Sequence, residues 1–168
     1  MSRPKILRHM SRHDEQVFAS YVFTPEGQSY TSWEFDVLIG DPDDPGAFYP
    51  ANLRRAALYQ NALKIDAIGW FYQTPTAIEC KPRAGLGAIG QMSSYQQWYR
   101  TIFGRDISGL IVCSGMSRQC QTAALWHNIR VVIVPPAQDF MVLNAERYVA
   151  GMIQKKSILP QFNSVQNF

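Results

Sequence analysis

Ile65-Asp66-Ala67-Ile68-Gly69-Trp70-Phe71-Tyr72, then Gln73-Thr74-Pro75, then Thr76-Ala77-Ile78-Glu79-Cys80-Lys81, is the stretch on which the rest of the chain is read. Both outer runs are rich in β-branched and aromatic residues, and Gln-Thr-Pro supplies a turn between them. They read as two strands. Side chains alternate along a strand, so Glu79 and Lys81 share one face and Cys80 takes the other. If the strands pair as a hairpin, Asp66 approaches the same edge. Two nearby acids make a hard oxygen site suited to Mg2+ or Mn2+. A lysine beside them can orient a water or steady charge on a phosphate. A bare Glu-x-Lys is also what a solvated strand end carries, because charged residues are mostly exposed. The flanking stretches have to decide.

Upstream, Asn52 to Leu63 has helical composition, with Leu53, Ala56, Ala57, Gln60 and Leu63 on one side. Before it, Gln16–Phe23 and Ser29–Ile39 read as a β-hairpin about Pro25-Glu26-Gly27-Gln28. Trp33, Phe35 and Val37 fall on one face of that hairpin, and Glu34, Asp36 and Leu38 on the other. Gly40–Gly46 is dense in turn residues and forms the one concentrated acidic patch. Two prolines and no closing glutamate exclude a calcium loop of the EF-hand kind.

Downstream, Pro82–Gly90 is a glycine-rich connection into a helix from about Ile89 to Phe103. Ile107–Cys113 is a short strand. Ser117 caps a helix that runs to His127, and Ile129–Val134 is a buried-type strand stopped by Pro135-Pro136. Ala145–Lys156 is helical. The order ββ, α, ββ, α, β, α, β, α gives an α/β (α+β) fold, a mixed sheet flanked by helices with an added N-terminal β-hairpin. The expected divisions are a basic arm at 1–14, a single domain at 15–158 with its core at about 52–134, and a polar tail at 159–168.

At 168 residues the chain is one domain with room for a sizeable core. No apolar run approaches the roughly 20 residues of a membrane span, and the N-terminus lacks a secretory core. A cytoplasmic protein is expected. Cys80, Cys113 and Cys120 are odd in number and have no CxxC spacing, which argues against a disulfide framework or a zinc site. His9, His13 and His127 complete no Ser-His-Asp or Cys-His set. Net charge is a mild +3, but Arg3, Lys5, Arg8 and Arg12 all precede the first acid, Asp14. Such an arm can follow a phosphate backbone or simply solubilise the chain.

Two motifs compete for the centre. Gly85-Leu86-Gly87-Ala88-Ile89-Gly90 matches the dinucleotide-binding pattern. That pattern wants an apolar strand running straight into the glycines and an acid after the next strand. Here Glu79, Lys81, Pro82 and Arg83 intervene, and Asp106 comes before the next strand. No nucleotide cofactor is expected. The other motif uses the helix that follows. Gln91 and Tyr95 are four apart and share a face, with Trp98 and Tyr99 close to it.

A strand carrying Glu79-Cys80-Lys81, an acid at Asp66, and a helix bearing Gln91-Met92-Ser93-Ser94-Tyr95 together resemble the PD-(D/E)xK nuclease superfamily. The closest likeness is to its RecB-like and lambda-exonuclease-like branches, over about Asn52 to Val134. The resemblance implies a restriction-endonuclease-like fold and metal-dependent hydrolysis of DNA phosphodiester bonds, with Mg2+ or Mn2+ as cofactor and DNA as partner. By it, Asp66, Glu79 and the backbone carbonyl of Cys80 would hold the metal, and Lys81 would position the attacking water. Gln91 and Tyr95 would support the site. Arg83, Gly85 and Gly87 lie where a loop and helix N-terminus can meet a phosphate, and Lys64, Arg54 and Arg55 extend the positive surface.

Many RecB-like members also carry a glutamate in an early helix. Asn52–Leu63 has none, which leaves Glu34, Glu15 or nothing in that place and favours one metal over two. Small free-standing members are frequent in phage genomes. The alternative reading therefore keeps the fold as a structural or adaptor protein of a phage particle or DNA-processing complex, in host cytoplasm or virion, with a homo-oligomer or an assembly protein as partner.

Overall fold

The computed structural model describes residues 6, 7 and 9–154. Five strands form one sheet in the order β1-β2-β3-β4-β5: Ser32–Ile39, Leu63–Phe71, Thr74–Ala84, Ser108–Met116 and Ile129–Ile133. The first three run antiparallel, and β3, β4 and β5 run parallel. The expected mixed α/β sheet is thus realised. Its helices are α1 (Arg12–Val22), α2 (Pro25–Ser29), α3 (Ala51–Asn61), α4 (Leu86–Phe103), α5 (Arg118–Trp126) and α6 (Asp139–Ala150). None is long and apolar enough to cross a membrane among the described residues.

The parallel strands follow from the crossovers, since β3–α4–β4 and β4–α5–β5 each return the chain in the same direction. One sheet face packs on α1 and α6 through Phe18, Trp33, Ile78, Leu110 and Val142. The other packs on α4 and α5 through Ile65, Ile68, Met92, Ile111 and Ala124. Gly109 permits the approach of α4, because a Cβ there would lie 2.8 Å from Met92 Cγ.

The expected N-terminal hairpin is not there. Gln16–Phe23 lies mostly within α1, and only the second half of the hairpin, β1, is a strand. Val17, Phe18, Tyr21 and Val22 stand at i, i+1, i+4 and i+5 and are fully buried, which is a helical stripe rather than an alternation. The helix start is fixed by a reciprocal cap. Ser11 Oγ accepts from Asp14 N at 3.2 Å, and Asp14 Oδ2 accepts from Ser11 N at 3.1 Å. The arm is corrected in part as well. Leu7 and Met10 are buried in the α1–α6 core, and Arg12 pairs with Asp139 at 2.6 Å. Arg3, Lys5, Arg8 and the 159–168 tail lie outside the described residues.

Other boundaries move too. Leu63 opens β2 rather than closing a helix, and the turn falls at Tyr72-Gln73, with Thr74 and Pro75 already in β3. α6 spans Asp139–Ala150 rather than 145–156. Pro82–Gly90 is not a glycine loop. β3 continues through Pro82 and Arg83 because it keeps its pairing with β4, and α4 begins immediately after Gly85.

Trp33, Phe35 and Val37 do not share a face. Trp33 and Phe35 join the α1–α6 core, whereas Val37 joins the α4 side; on β2, Ala67 and Ile65 split the same way. The crossing falls at the rung between Phe35–Ala67 and Val37–Ile65, which is Asp36 opposite Asp66. Asp36 has φ of 53°, a left-handed backbone that breaks the two-residue alternation.

The helical reading of the N-terminal segment is tested by its cap. Ser11→Ala is expected to destabilise the protein by about 1 kcal/mol, a fall in melting temperature of about 2–4 °C. An unchanged melt would show that the cap does not hold α1.

Candidate active site

β2 and β3 are paired from Phe71–Thr74 as far as Ala67–Ile78, and the next rung, Asp66 with Glu79, is not formed. Beyond it β3 stays paired only to β4, through Cys80–Val112, Lys81–Cys113 and Arg83–Gly115. Where the strands part, a backbone donor on the β2 side needs a partner. Asp66 supplies it, its Oδ2 accepting from Cys80 N at 3.0 Å.

The alternation along β3 is as expected. Ile78 and Cys80 enter the α1–α6 core, which puts Glu79 and Lys81 on the α4 side. Glu79 is wholly buried. Lys81 Nζ lies 2.8 Å from Glu79 Oε1, so the ammonium partners that buried oxygen.

α4 closes the site from above. Gln91 Nε2 donates to Tyr95 Oη at 2.5 Å, as the i,i+4 spacing anticipates. Tyr95 Oη sits 2.6 Å from the Lys64 carbonyl and 3.2 Å from Glu79 Oε2. A phenol has one hydrogen to give. The shorter contact assigns it to Lys64, which ties α4 to the start of β2 and leaves Glu79 Oε2 with a longer contact.

Burial, then the charge of Glu79, raises the Asp66 pKa against the opposing pull of the Cys80 N–H and Lys81. Burial likewise raises that of Glu79, opposed by Lys81 and Tyr95. Burial works against the Lys81 ammonium, but the two carboxylates outweigh it and its pKa rises. Burial, followed by the Glu79 charge, raises the Tyr95 phenol, keeping it a neutral donor.

Asp14 recurs in this balance. Its charge raises Asp66 and Glu79 and favours protonated Lys81. The sequence reading does not include it, because it divides this helix between an arm and a strand. The signal was there, as Ser11-Arg12-His13-Asp14 is a capping pattern. Glu34 is instead buried as the acceptor of Trp70 Nε1 at 2.9 Å, and Glu15 is buried one residue along α1.

The other candidates are scattered. Arg83 is exposed at the end of β3, beside a concavity of about 490 Å3 lined also by Ser114, Met116 and Ser117. Gly85 is the N-cap of α4, and Gly87 lies in its first turn. Lys64 Nζ stands 4.6 Å over the Tyr59 ring, next to the site through its own carbonyl. Arg54 and Arg55 are on α3. Arg54 is bound by Asp44 through two nitrogens, and Arg55 Nε donates to Ala51 O at 3.2 Å.

No family model and no curated protein matches this chain. Two solved structures do. One is EndoMS in a complex with double-stranded DNA, at a TM-score of 0.47 and 13% identity, covering 82% of this chain and 50% of that one. The other is a repair endonuclease from Pyrococcus abyssi, at a TM-score of 0.46 and 14% identity, covering 76% and 50%. The chain spans about half the length of each.

Both carboxyls have folded pKa values above their unfolded ones. The stability they contribute is therefore fully present below the unfolded value of about 4 and is lost as pH rises through the folded values. The melting temperature in EDTA is expected to fall between about pH 5 and 8, and Asp66→Asn is expected to flatten that fall. An equally steep decline in the variant would show that the carboxyl pair is not its source.

Proposed function

We propose that the chain is a metal-dependent nuclease that hydrolyses DNA phosphodiester bonds, of the PD-(D/E)xK type. One observation carries this reading: where two strands part, Asp66 on the Cys80 amide lies beside the wholly buried Glu79, which is ion-paired to Lys81. Two desolvated carboxyls placed side by side are a costly thing to keep for structure alone.

The residues fit a hard divalent cation. Among the described residues no three His, Cys, Asp or Glu side chains converge. Mg2+ or Mn2+ would be held by Asp66, Glu79 and the Cys80 carbonyl, with water and phosphate oxygens as its remaining ligands. Bound there, it would acidify a water and neutralise charge developing on the phosphate.

The chain's own groups supply the rest. The Cys80 N–H fixes the Asp66 carboxylate, and Tyr95, itself held by Gln91, fixes the position of α4 over Glu79. Lys81 presents a protonated ammonium to a phosphate oxygen or the attacking water. Arg83 and the amides at Gly85 and Gly87 would meet the strand beyond the end of β3.

Cleavage of circular and linear DNA is to be compared in Mg2+, Mn2+ and EDTA. Native protein is expected to cut only with metal, and Lys81→Ala to lower the rate by about 10²–10³ with its melt retained. Asp66→Asn is expected to abolish both cutting and heat-stabilisation by the cation. A native protein that neither cuts nor is stabilised by either cation would sink this reading and leave the adaptor role.

A further inference from the structure

The acidic loop and α3 hold a second set of groups that the carboxylate site does not use. Between them lies a concavity of about 800 Å3, lined by Asp41, Asp44, Tyr49, Arg54, Arg55 and Leu58, among others. Asp44 accepts from Arg54 Nε at 2.6 Å and from its terminal Nη2, and also from Gly46 N at 2.9 Å. Arg54 and the Gly46 amide together hold the Asp44 acid down to about 2, so it is ionised throughout the neutral range. Two parallel bonds from a guanidinium to two oxygens of one anion is also the way arginine holds a phosphate. Tyr49 of this lining is 54% exposed, and Phe48, its neighbour in the chain, is fully exposed.

α3 is poised to be reset. None of its residues is buried, and its N-cap, Pro50, makes no side-chain cap. At 11 residues such a helix is marginal without tertiary packing. It is held by the Arg54–Asp44 pair, a 3.4 Å bond from Asn61 Nδ2 to Asp43 O, the contact of Leu58 and Tyr59 with Leu38 and Ala62, and Tyr59's own contacts with His9 Nε2 and Lys64 Nζ. An exposed ion pair is screened by solvent and salt and contributes little, so a competing anion can displace it. Both ends of the segment rest near α4. The Gly40 Cβ position is 3.8 Å from Trp98 Nε1, and the Lys64 carbonyl, three residues past the end of α3, receives Tyr95 Oη.

We infer that this concavity seats an unpaired stretch of a nucleic-acid strand, with Asp44 holding Arg54 in place of a phosphate until the strand arrives. A backbone phosphate exchanges with the Asp44 carboxylate on Arg54, and bases stack on Phe48 and Tyr49. The combination of a cation for the backbone and exposed aromatic faces for the bases is how single strands are bound without sequence preference. The inference rests on the nuclease reading for its substrate. It explains why an arginine suited to DNA is neutralised in the free chain.

The test is fluorescence anisotropy in EDTA, with a labelled oligothymidylate and a matching duplex. Asp44→Asn is expected to tighten single-strand binding up to about fivefold, the exchange equivalent of an exposed pair. It should also steepen the log–log salt dependence by about one. Asp41→Asn is the control, since it removes the same charge from the same concavity without an ion pair to Arg54. Its gain is expected to be clearly smaller, and Arg54→Ala is expected to cancel the Asp44→Asn gain. Phe48→Ala and Tyr49→Ala should each weaken single-strand binding about fivefold or more and duplex binding less.

Equal gains from Asp41→Asn and Asp44→Asn, surviving in the Arg54→Ala background, would reduce the effect to net charge and overturn the exchange. Aromatic variants that weaken strand and duplex alike would overturn the unpaired substrate. If native protein cuts DNA but these variants change nothing, the seat falls and the nuclease stands. If native protein binds neither probe, the seat falls, and the nuclease is decided by the cutting assay in Mg2+ and Mn2+.

Discussion

The parting of β2 from β3 is the constraint on which the site depends. Up to Ala67–Ile78 the two strands satisfy each other; one rung later the Cys80 amide takes a side-chain carboxylate, Asp66, instead of a ladder carbonyl. That substitution opens the sheet without orphaning the donor. It also brings a second acid beside Glu79, whose burial is enforced by the α4 layer. Two desolvated carboxyls side by side are unfavourable unless something compensates. Lys81, placed on the same face by strand alternation alone, is what the chain provides.

α4 ties this arrangement to the rest of the molecule. Its buried face includes Met92, which meets β4 at Gly109, and Tyr95, which meets the start of β2 through Lys64. One helix thereby spans the antiparallel and parallel halves of the sheet over the rung where they separate. The left-handed Asp36 on β1 faces Asp66 across that rung, and both strands exchange faces there. Backbone in sparsely populated conformations costs energy and persists where the surroundings over-determine it. Here it coincides with the carboxylate pair.

Charge is distributed by pairing rather than by composition. The mild +3 of the chain conceals Arg54 tied to Asp44, Arg12 to Asp139 and Arg130 to Glu26. These pairs remove cations that a sequence count assigns to a nucleic-acid surface. The exposed Arg83 remains at the end of β3, two residues past Lys81, which is itself paired to Glu79.

The sequence by itself determined whatever depends on a local period. The two-residue repeat put Glu79 and Lys81 on one face, and the i,i+4 spacing put Gln91 beneath Tyr95. The Ser117 cap opened α5, its Oγ accepting from Cys120 N, and alternating strands and helices fixed a parallel half-sheet. It failed where one pattern served two periods. Gln16–Phe23 alternates loosely enough to pass for a strand, and only burial against the sheet shows that its stripe is helical.

Tertiary structure alone decided the rest. Which acid from the N-terminal segment reaches Asp66 depends on how α1 packs, and Asp14 owes its place to that packing. The face exchange at Asp36 needs a backbone angle that no residue type announces, since Asp tolerates the left-handed region without requiring it. The neutralisation of Arg54 needs the loop to fold back on α3. Local periodicities are written in the chain because they arise from backbone geometry. Pairings between distant elements arise from packing, and the sequence names the groups without saying which of them will meet.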